Sequence, residues 1–330
     1  VKDAIGGYFP LELPQKKLKY HKGGEYFNSA RAAFYALLKA GKPDAVWMPR
    51  WICDAMLSPL SELGVPVHFY SLEENFSPEA DLKLAPGEWL LYVNYFGLCN
   101  CQEQALLKRF NPAQIIFDRS QAFFSPPQQG LATIYSPRKF FGVPDGGLLF
   151  SSLPVMQPEL QEKVPLPPTE HMIQRLTYGA EAGFAAYQQA ENLLSVLPGT
   201  AISALSQRLL ETVDYPFVEK IRLRNFRYLH AQLQHLNVMS VPEELPYAPF
   251  CYPFLNRKKG LRESLYGVRI YTATFWQDAA VRLEKNDRER VLVDYLIPLP
   301  IDQRYTLADM QTIVDSILER VTHAHGDENE

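Results

Sequence analysis

The chain has 330 residues, of which 47% are hydrophobic and 21% charged, with a formal net charge of −4. That length accommodates two domains and a sizeable core. The small net charge and the lack of a basic run argue against nucleic acid or an anionic membrane surface as the main partner, and no apolar run approaches the ~18 residues that span a bilayer.

Residues 1–25, with Gly6-Gly7 and Gly23-Gly24, read as an N-terminal arm. Residues 29–40 carry apolar positions at Ala33, Phe34, Leu37 and Leu38, a helical period with Asn28 or Ser29 as N-cap and Gly41 as stop. AVWMP (45–49) reads as a strand, 53–64 as a helix ended by Gly64, and 65–70 and 88–96 as strands. A helix is expected over 102–110, and strands over 114–118 and 131–135. This alternation predicts an α/β fold with a mainly parallel sheet. Residues 151–170 are proline-rich and read as a surface crossing. Long helices are expected over 171–197 and 200–236, followed by short strands at 249–256 and 267–272. A last helix starts from a capping box at Thr306–Asp309. The four cysteines, Cys53, Cys99, Cys101 and Cys251, lack zinc spacing, so no metal site is expected. They read as reduced thiols of a cytoplasmic protein, and no signal-peptide pattern is seen. His323 and His325 fall in an acidic tail.

The segment from Ile115 to Ser152 carries the chemistry. Asp118 closes one strand and Gln121 follows three residues later. After the next strand come Ser136-Pro137-Arg138-Lys139, and Gly146-Gly147 opens a further apolar run. In open α/β sheets, ligands sit outside the carboxyl ends of the strands. A carboxylate and a lysine at two such ends suit pyridoxal phosphate: the carboxylate would keep the pyridine nitrogen protonated and the lysine would hold the aldehyde covalently. Read alone, Asp118 is a turn former and Lys139 a solvated charge.

In these residues the chain resembles the fold-type I pyridoxal-phosphate-dependent transferases, and most closely the DegT/DnrJ/EryC1/StrS sugar aminotransferases. Asp118 with Gln121, Ser136 with Lys139 and Gly146-Gly147, and the small-residue turn Asn28-Ser29-Ala30-Arg31 carry the likeness. The resemblance implies a mainly parallel central sheet flanked by helices, with a small C-terminal α+β domain. It divides the chain into an arm (1–25), a cofactor-binding domain (26–210) and a small domain (211–330), with a bridging helix near 200–236. Lys139 is then the catalytic lysine and Asp118 the partner of the ring nitrogen, with Gln121 beside the ring oxygen. Ser29, Ala30 and Ser136 receive the phosphate, helped by free N–H groups at a helix start. Trp51 would stack on the pyridine face or belong to the core, and Asn94 would face the pocket.

Two features depart from the family pattern. Arg31 stands where the family has a small residue, and either reaches the phosphate or faces solvent. The family's Gly-x-Asn-x-Arg segment, which enters the partner subunit's site, has no counterpart in YGAEAGFAAYQQ (178–189). The implied activity is transfer of an amino group from an amino acid, glutamate being expected, to a nucleotide-linked keto sugar for a polysaccharide or secondary metabolite, in a homodimer. The alternatives are a member that binds the cofactor or a sugar without turnover, and a pyridoxal-phosphate lyase or desulfurase. Family dehydratases carry His in place of the lysine, so Lys139 speaks against that branch.

Overall fold

The computed structural model describes residues 9, 11–14, 18–156, 158 and 166–322. Residues 1–8, 10 and 15–17 of the expected arm and the histidines of the acidic tail lie outside the described residues.

Strand β1 (Glu25–Phe27) leads into helix α1 (Ala30–Gly41). The Ser29 hydroxyl caps α1 by accepting from Ala32 N, and Lys42, in the left-handed region with φ 47°, ends it. The apolar stripe of α1 faces the sheet, and Phe34 and Leu37 are fully buried. Strand β2 (Ala45–Pro49), helix α2 (Asp54–Leu63), strands β3 (Val67–Tyr70) and β4 (Glu88–Val93), helix α3 (Asn100–Arg109) and strands β5 (Ile115–Asp118), β6 (Ala132–Tyr135) and β7 (Gly147–Ser151) complete one layered unit. Among the described residues the main sheet has seven strands in the order β1-β7-β6-β5-β4-β2-β3. From β3 to β6 every pairing is parallel, and β7 and β1 close one edge antiparallel. Strands β4 to β6 are covered on both faces and are nearly all apolar, as buried parallel strands must be. The carboxyl ends of β2, β4, β5 and β6 therefore share one edge.

The second half is helical, with a small antiparallel ribbon. It comprises α4 (Glu170–Tyr178), α5 (Phe184–Leu193), α6 (Ala204–Glu211), α7 (Tyr215–Leu233), β8 (Tyr252–Leu255), α8 (Leu261–Gly267), α9 (Arg288–Tyr295), β9 (Leu296–Leu299) and α10 (Leu307–Thr322). Phe226, Leu229, Phe254, Leu299 and Met310 share one buried cluster, so α7, the β8–β9 ribbon and α10 pack together. The capping box of α10 is formed: Thr306 N donates to Asp309 Oδ2 at 2.7 Å and Asp309 N to Thr306 Oγ1 at 3.3 Å.

Three expectations are corrected. The helix expected over 171–197 is two helices, because Gly179 takes φ 97° and the chain turns before α5. The helix expected over 200–236 breaks before Asp214, whose carboxylate caps α7 by accepting from Phe217 N. Residues 268–272 form no strand: the N–H groups of Val268, Arg269 and Ile270 turn back onto Leu265 and Tyr266 carbonyls, and Arg269 has φ 61°.

His21, just before β1, is buried and stacked on Tyr135 at 4.3 Å, with Nε2 2.6 Å from the Phe123 carbonyl. Burial lowers its pKa from 6.5 to about 4, against the raising effect of that carbonyl. Above pH 6.5 the imidazole is neutral in both states and the fold keeps its full stability. As pH falls from 6.5 toward 4, the unfolded chain takes up a proton that the folded chain refuses, so stability falls by up to about 3 kcal/mol. Denaturation at pH 7 and pH 5 should give a smaller pH-dependent loss in His21→Phe than in the wild type. Identical losses contradict this.

Candidate active site

The site grows from the end of β5. Asp118 is only 4% exposed. Its carbonyl accepts from Asn94 N at 2.9 Å, and Arg119 N reaches across to the Ile134 carbonyl at 2.8 Å, so the chain leaves the sheet in fixed register with β4 and β6. Ser120 N donates to Asp118 Oδ1 at 2.8 Å. Oδ2 receives no donor among the described residues and is left for a ligand. Behind Asp118, the Arg119 guanidinium donates through Nε to Glu103 Oε1 of α3 at 3.0 Å and through Nη2 to Oε2, with both side chains at 1% exposure or less. Burial alone would lower the Arg119 pKa; the bonds and charge of Glu103 outweigh it and raise it.

Lys139 ends a short 3₁₀ turn (Pro137–Lys139) that follows β6. Its side chain is exposed, and the residues around it are held from three directions. The Phe140 carbonyl accepts from Gln303 Nε2 at 2.8 Å and from Arg222 Nη2 at 3.4 Å. The neighbouring Arg138 pairs with Glu191 of α5. Asp145, 4% exposed, accepts from Ser203 N at 2.8 Å, from Ser203 Oγ at 2.6 Å and from Ser206 Oγ at the start of α6. Arg222 is itself 1% exposed with no carboxylate in ion-pair contact among the described residues; burial lowers its pKa to about 10.

The start of α1 meets this lysine loop. Gly146 N donates to the Asn28 carbonyl at 2.7 Å. A Cβ on Gly147 would stand 2.1 Å from the Ser29 carbonyl oxygen and 2.5 Å from Ala30 N, so only glycine permits this approach. Ser29 and Ala30 are thus set beside the lysine loop, and the Arg31 backbone N–H has no acceptor among the described residues. The Ser136 hydroxyl is likewise without a partner there. A free helix-start N–H, a free hydroxyl, a free carboxylate oxygen and an exposed lysine amine are the donor and acceptor set that pyridoxal phosphate requires.

Cys53, at the carboxyl end of β2, escaped the sequence reading. Burial raises its thiol pKa, while the charge of Lys139 lowers it and that of Asp118 raises it again. Cys53 stands just before α2, after the carboxyl end of β2. It is held there by a clasp from the second half of the chain. Arg50 Nε donates to the Arg282 carbonyl at 3.1 Å, Arg282 Nε returns a bond to the Arg50 carbonyl at 3.3 Å, and Asp278 accepts from Asp54 N. The signal in the sequence was only a position two residues beyond Trp51.

Three expected site side chains, those of Trp51, Asn94 and Arg31, are engaged within the fold instead. Trp51 has no exposed area: Tyr95 stacks on it at 5.1 Å and 8°, and Trp276 meets it edge-on at 4.7 Å. No face remains for a cofactor ring. Asn94 is fully buried; its Oδ1 accepts from Cys99 N at 3.0 Å and its Nδ2 donates to Asn100 at 3.3 Å, so it ties the strand end to α3 rather than facing a ligand. The Arg31 guanidinium donates to the Ala55 carbonyl at 3.0 Å and the Leu194 carbonyl at 3.5 Å, which settles it against α2 and the end of α5. Gln121 accepts from Phe96 N at 2.8 Å through Oε1, which leaves its amide Nε2 over.

With this geometry in place, comparison with solved structures identifies the fold as that of fold-type I aminotransferases. The chain superposes on the sugar aminotransferase CalS13 from Micromonospora echinospora with a TM-score of 0.63 and 14% identity, over 90% of this chain and 87% of that one. A DegT DnrJ EryC1 StrS aminotransferase from Brucella abortus gives a TM-score of 0.59 and 14% identity, over 92% and 86%. The E. coli GDP-4-keto-6-deoxy-D-mannose-3-dehydratase with bound hydrated PLP gives 0.61 and 15%, over 90% and 87%. No family model matches the chain, and no curated protein matches it in sequence.

The Arg119–Glu103 pair makes a prediction. Glu103→Leu alone leaves a buried guanidinium uncompensated and should cost about 3–5 kcal/mol of stability. The double change Glu103→Leu/Arg119→Met should recover most of that in urea denaturation. A double variant no more stable than the single one contradicts the argument.

Proposed function

We propose that this protein is a pyridoxal-phosphate-dependent aminotransferase that moves an amino group from an amino acid to the keto group of a nucleotide-linked sugar. What supports this is the placement of buried Asp118 and exposed Lys139 after the adjacent parallel strands β5 and β6, with the start of α1 packed against the Gly146-Gly147 turn that follows the lysine. When bound, the cofactor supplies the electron sink and the carrier for the amino group. Asp118 Oδ2 holds the proton on the ring nitrogen. The Gln121 amide would orient the ring oxygen. Ser29, Ala30, the Arg31 N–H and Ser136 take the phosphate. Lys139 binds the cofactor and then moves protons as general acid and base. Glutamate is the donor we expect. Residues 26–210 would form the cofactor-binding domain and 211–330 the small domain.

Two further parts of the reading concern the subunits. Helices α4 and α5 expose Ile173, Leu176, Tyr178, Phe184 and Leu193, at 58–88% each, an apolar face suited to a second copy of the chain. Arg175 on the same hairpin is exposed and would take the place of the family's missing arginine at the partner's phosphate. A monomer in sedimentation at micromolar concentration, with the cofactor fully bound, contradicts this part. The alternative of a member that binds without turnover rests on the altered hairpin alone. A dehydratase is disfavoured by the lysine at position 139.

Borohydride reduction of the cofactor-loaded protein, followed by peptide mapping, should place the pyridoxyl adduct on Lys139, and Lys139→Ala should fold normally without an adduct. An adduct on Lys39 or Lys108 overturns the assignment.

A further inference from the structure

A sizeable cleft of the described structure lies elsewhere. It encloses about 1040 Å³ between the loop after β3, the turn after β4 and the α9 end of the second half. Neither Lys139, Asp118, Cys53, Ser29 nor Ser136 lines it. A cavity of that size is large enough for a whole metabolite.

Its chemistry is mixed in a particular way. The floor is apolar, with Phe76, Phe96 and Leu292 all buried. Gln102 donates through Nε2 to the Asn75 carbonyl at 2.8 Å, while its Oε1 is buried and accepts nothing. A buried acceptor left without a donor costs free energy unless something supplies one. Three guanidinium groups border the space. Arg109 is consumed by the carbonyls of Pro78, Glu79, Ala80 and Leu82 at 2.8–3.3 Å. Arg257 is exposed and has no partner among the described residues. Arg288 lies over the Phe76 ring, 5.7 Å from its centroid, and its one carboxylate contact among the described residues is Glu74 at 3.9 Å, whose side chain is 97% exposed, a pairing too loose to neutralise it. Glu73 and Glu74 stand on the rim facing solvent.

The backbone is strained at the same place. Five non-glycine residues among those described have positive φ, and two of them, Phe76 (66°) and Phe96 (59°), line this cleft. A bulky side chain in that region persists only where its surroundings hold it, and such strain gathers at ligand sites.

From these observations we infer that the cleft is a second ligand site, for an amphipathic anion: an aromatic or apolar body of nucleotide size bearing a phosphate, sulfonate or carboxylate. The body lies on Phe76 and Phe96, the anion is taken by the forks of Arg257 and Arg288, and a donor on the ligand meets Gln102 Oε1. Phe96 N donates to Gln121 Oε1, so the floor of the cleft is bonded to the pocket that holds Asp118.

The probe is 8-anilinonaphthalene-1-sulfonate, titrated by fluorescence against the full chain saturated with pyridoxal phosphate. One saturable site per chain is expected, with affinity about tenfold or more lower in Arg257→Glu/Arg288→Glu and for uncharged 1-anilinonaphthalene on the wild type. Both arginines are at the surface, and an unchanged thermal midpoint confirms that the variant folds. Ser240→Trp, which fills the cleft without changing its charge, should also abolish binding. The inference fails if the arginine variant binds as the wild type does, or if the probe binds only when the cofactor is absent. It also fails if Leu176→Lys, on the exposed α4 face, removes the signal. Because the cofactor is present throughout, these outcomes are independent of whether Lys139 is the catalytic lysine.

Discussion

A carboxylate taken out of water must be held by something, and here the burden falls on the end of β5. Asp118 is 4% exposed, with one oxygen bonded to Ser120 N and the other without a donor among the described residues. Its backbone is locked by Asn94 N on one side, and that of Arg119 by the Ile134 carbonyl on the other. Behind it, the fully buried Arg119–Glu103 pair anchors the same turn to α3. Breaking either layer would free the one group that gives the pocket its direction. Such a rigid support is what a site needs when the position of a proton decides the chemistry.

The lysine side of the pocket is organised differently. Lys139 is exposed, and its neighbours are fixed from outside: Phe140 by Gln303 and Arg222 on its carbonyl, Arg138 by Glu191, and Asp145 by Ser203 and Ser206. All of these come from residues beyond 190. The large sheet thus supplies the carboxylate, and the later part of the chain sets where the lysine stands. The clasp between Arg50 and Arg282 does the same for Cys53. A helix hairpin or C-terminal substitution far from the pocket can therefore act on the site through these contacts.

What could be read from the amino-acid order follows the range of the interactions. The strand–turn–strand rhythm that puts Asp118 and Lys139 at strand ends is local, as is the Ser29 cap, and both were legible. Gly146-Gly147 was legible as a turn, and the structure adds the reason: Gly147 has no room for a side chain against Ser29. Trp51 was not legible, because an aromatic after a strand faces pocket or core according to neighbours such as Tyr95 and Trp276, which come from distant segments. Asn94 and Arg31 failed for the same reason: their polar groups were claimed by a helix end and by carbonyls that no spacing rule reveals. The 268–272 segment looked like a strand by composition, and local turn bonds to Leu265 and Tyr266 took its donors first. The cleft beside Phe76 exists only through the meeting of two halves of the chain, so no single stretch announces it.

The central claim is that Asp118 and Lys139 serve one bound cofactor that accepts an amino group. Its most direct test is the absorbance spectrum of the purified protein loaded with pyridoxal phosphate, recorded before and after glutamate is added. The account predicts a yellow protein whose visible band bleaches toward the pyridoxamine form in the wild type, with Asp118→Asn binding the cofactor but bleaching far more slowly. A protein that cannot be loaded with the cofactor, or an Asp118→Asn variant that bleaches at the wild-type rate, would contradict it.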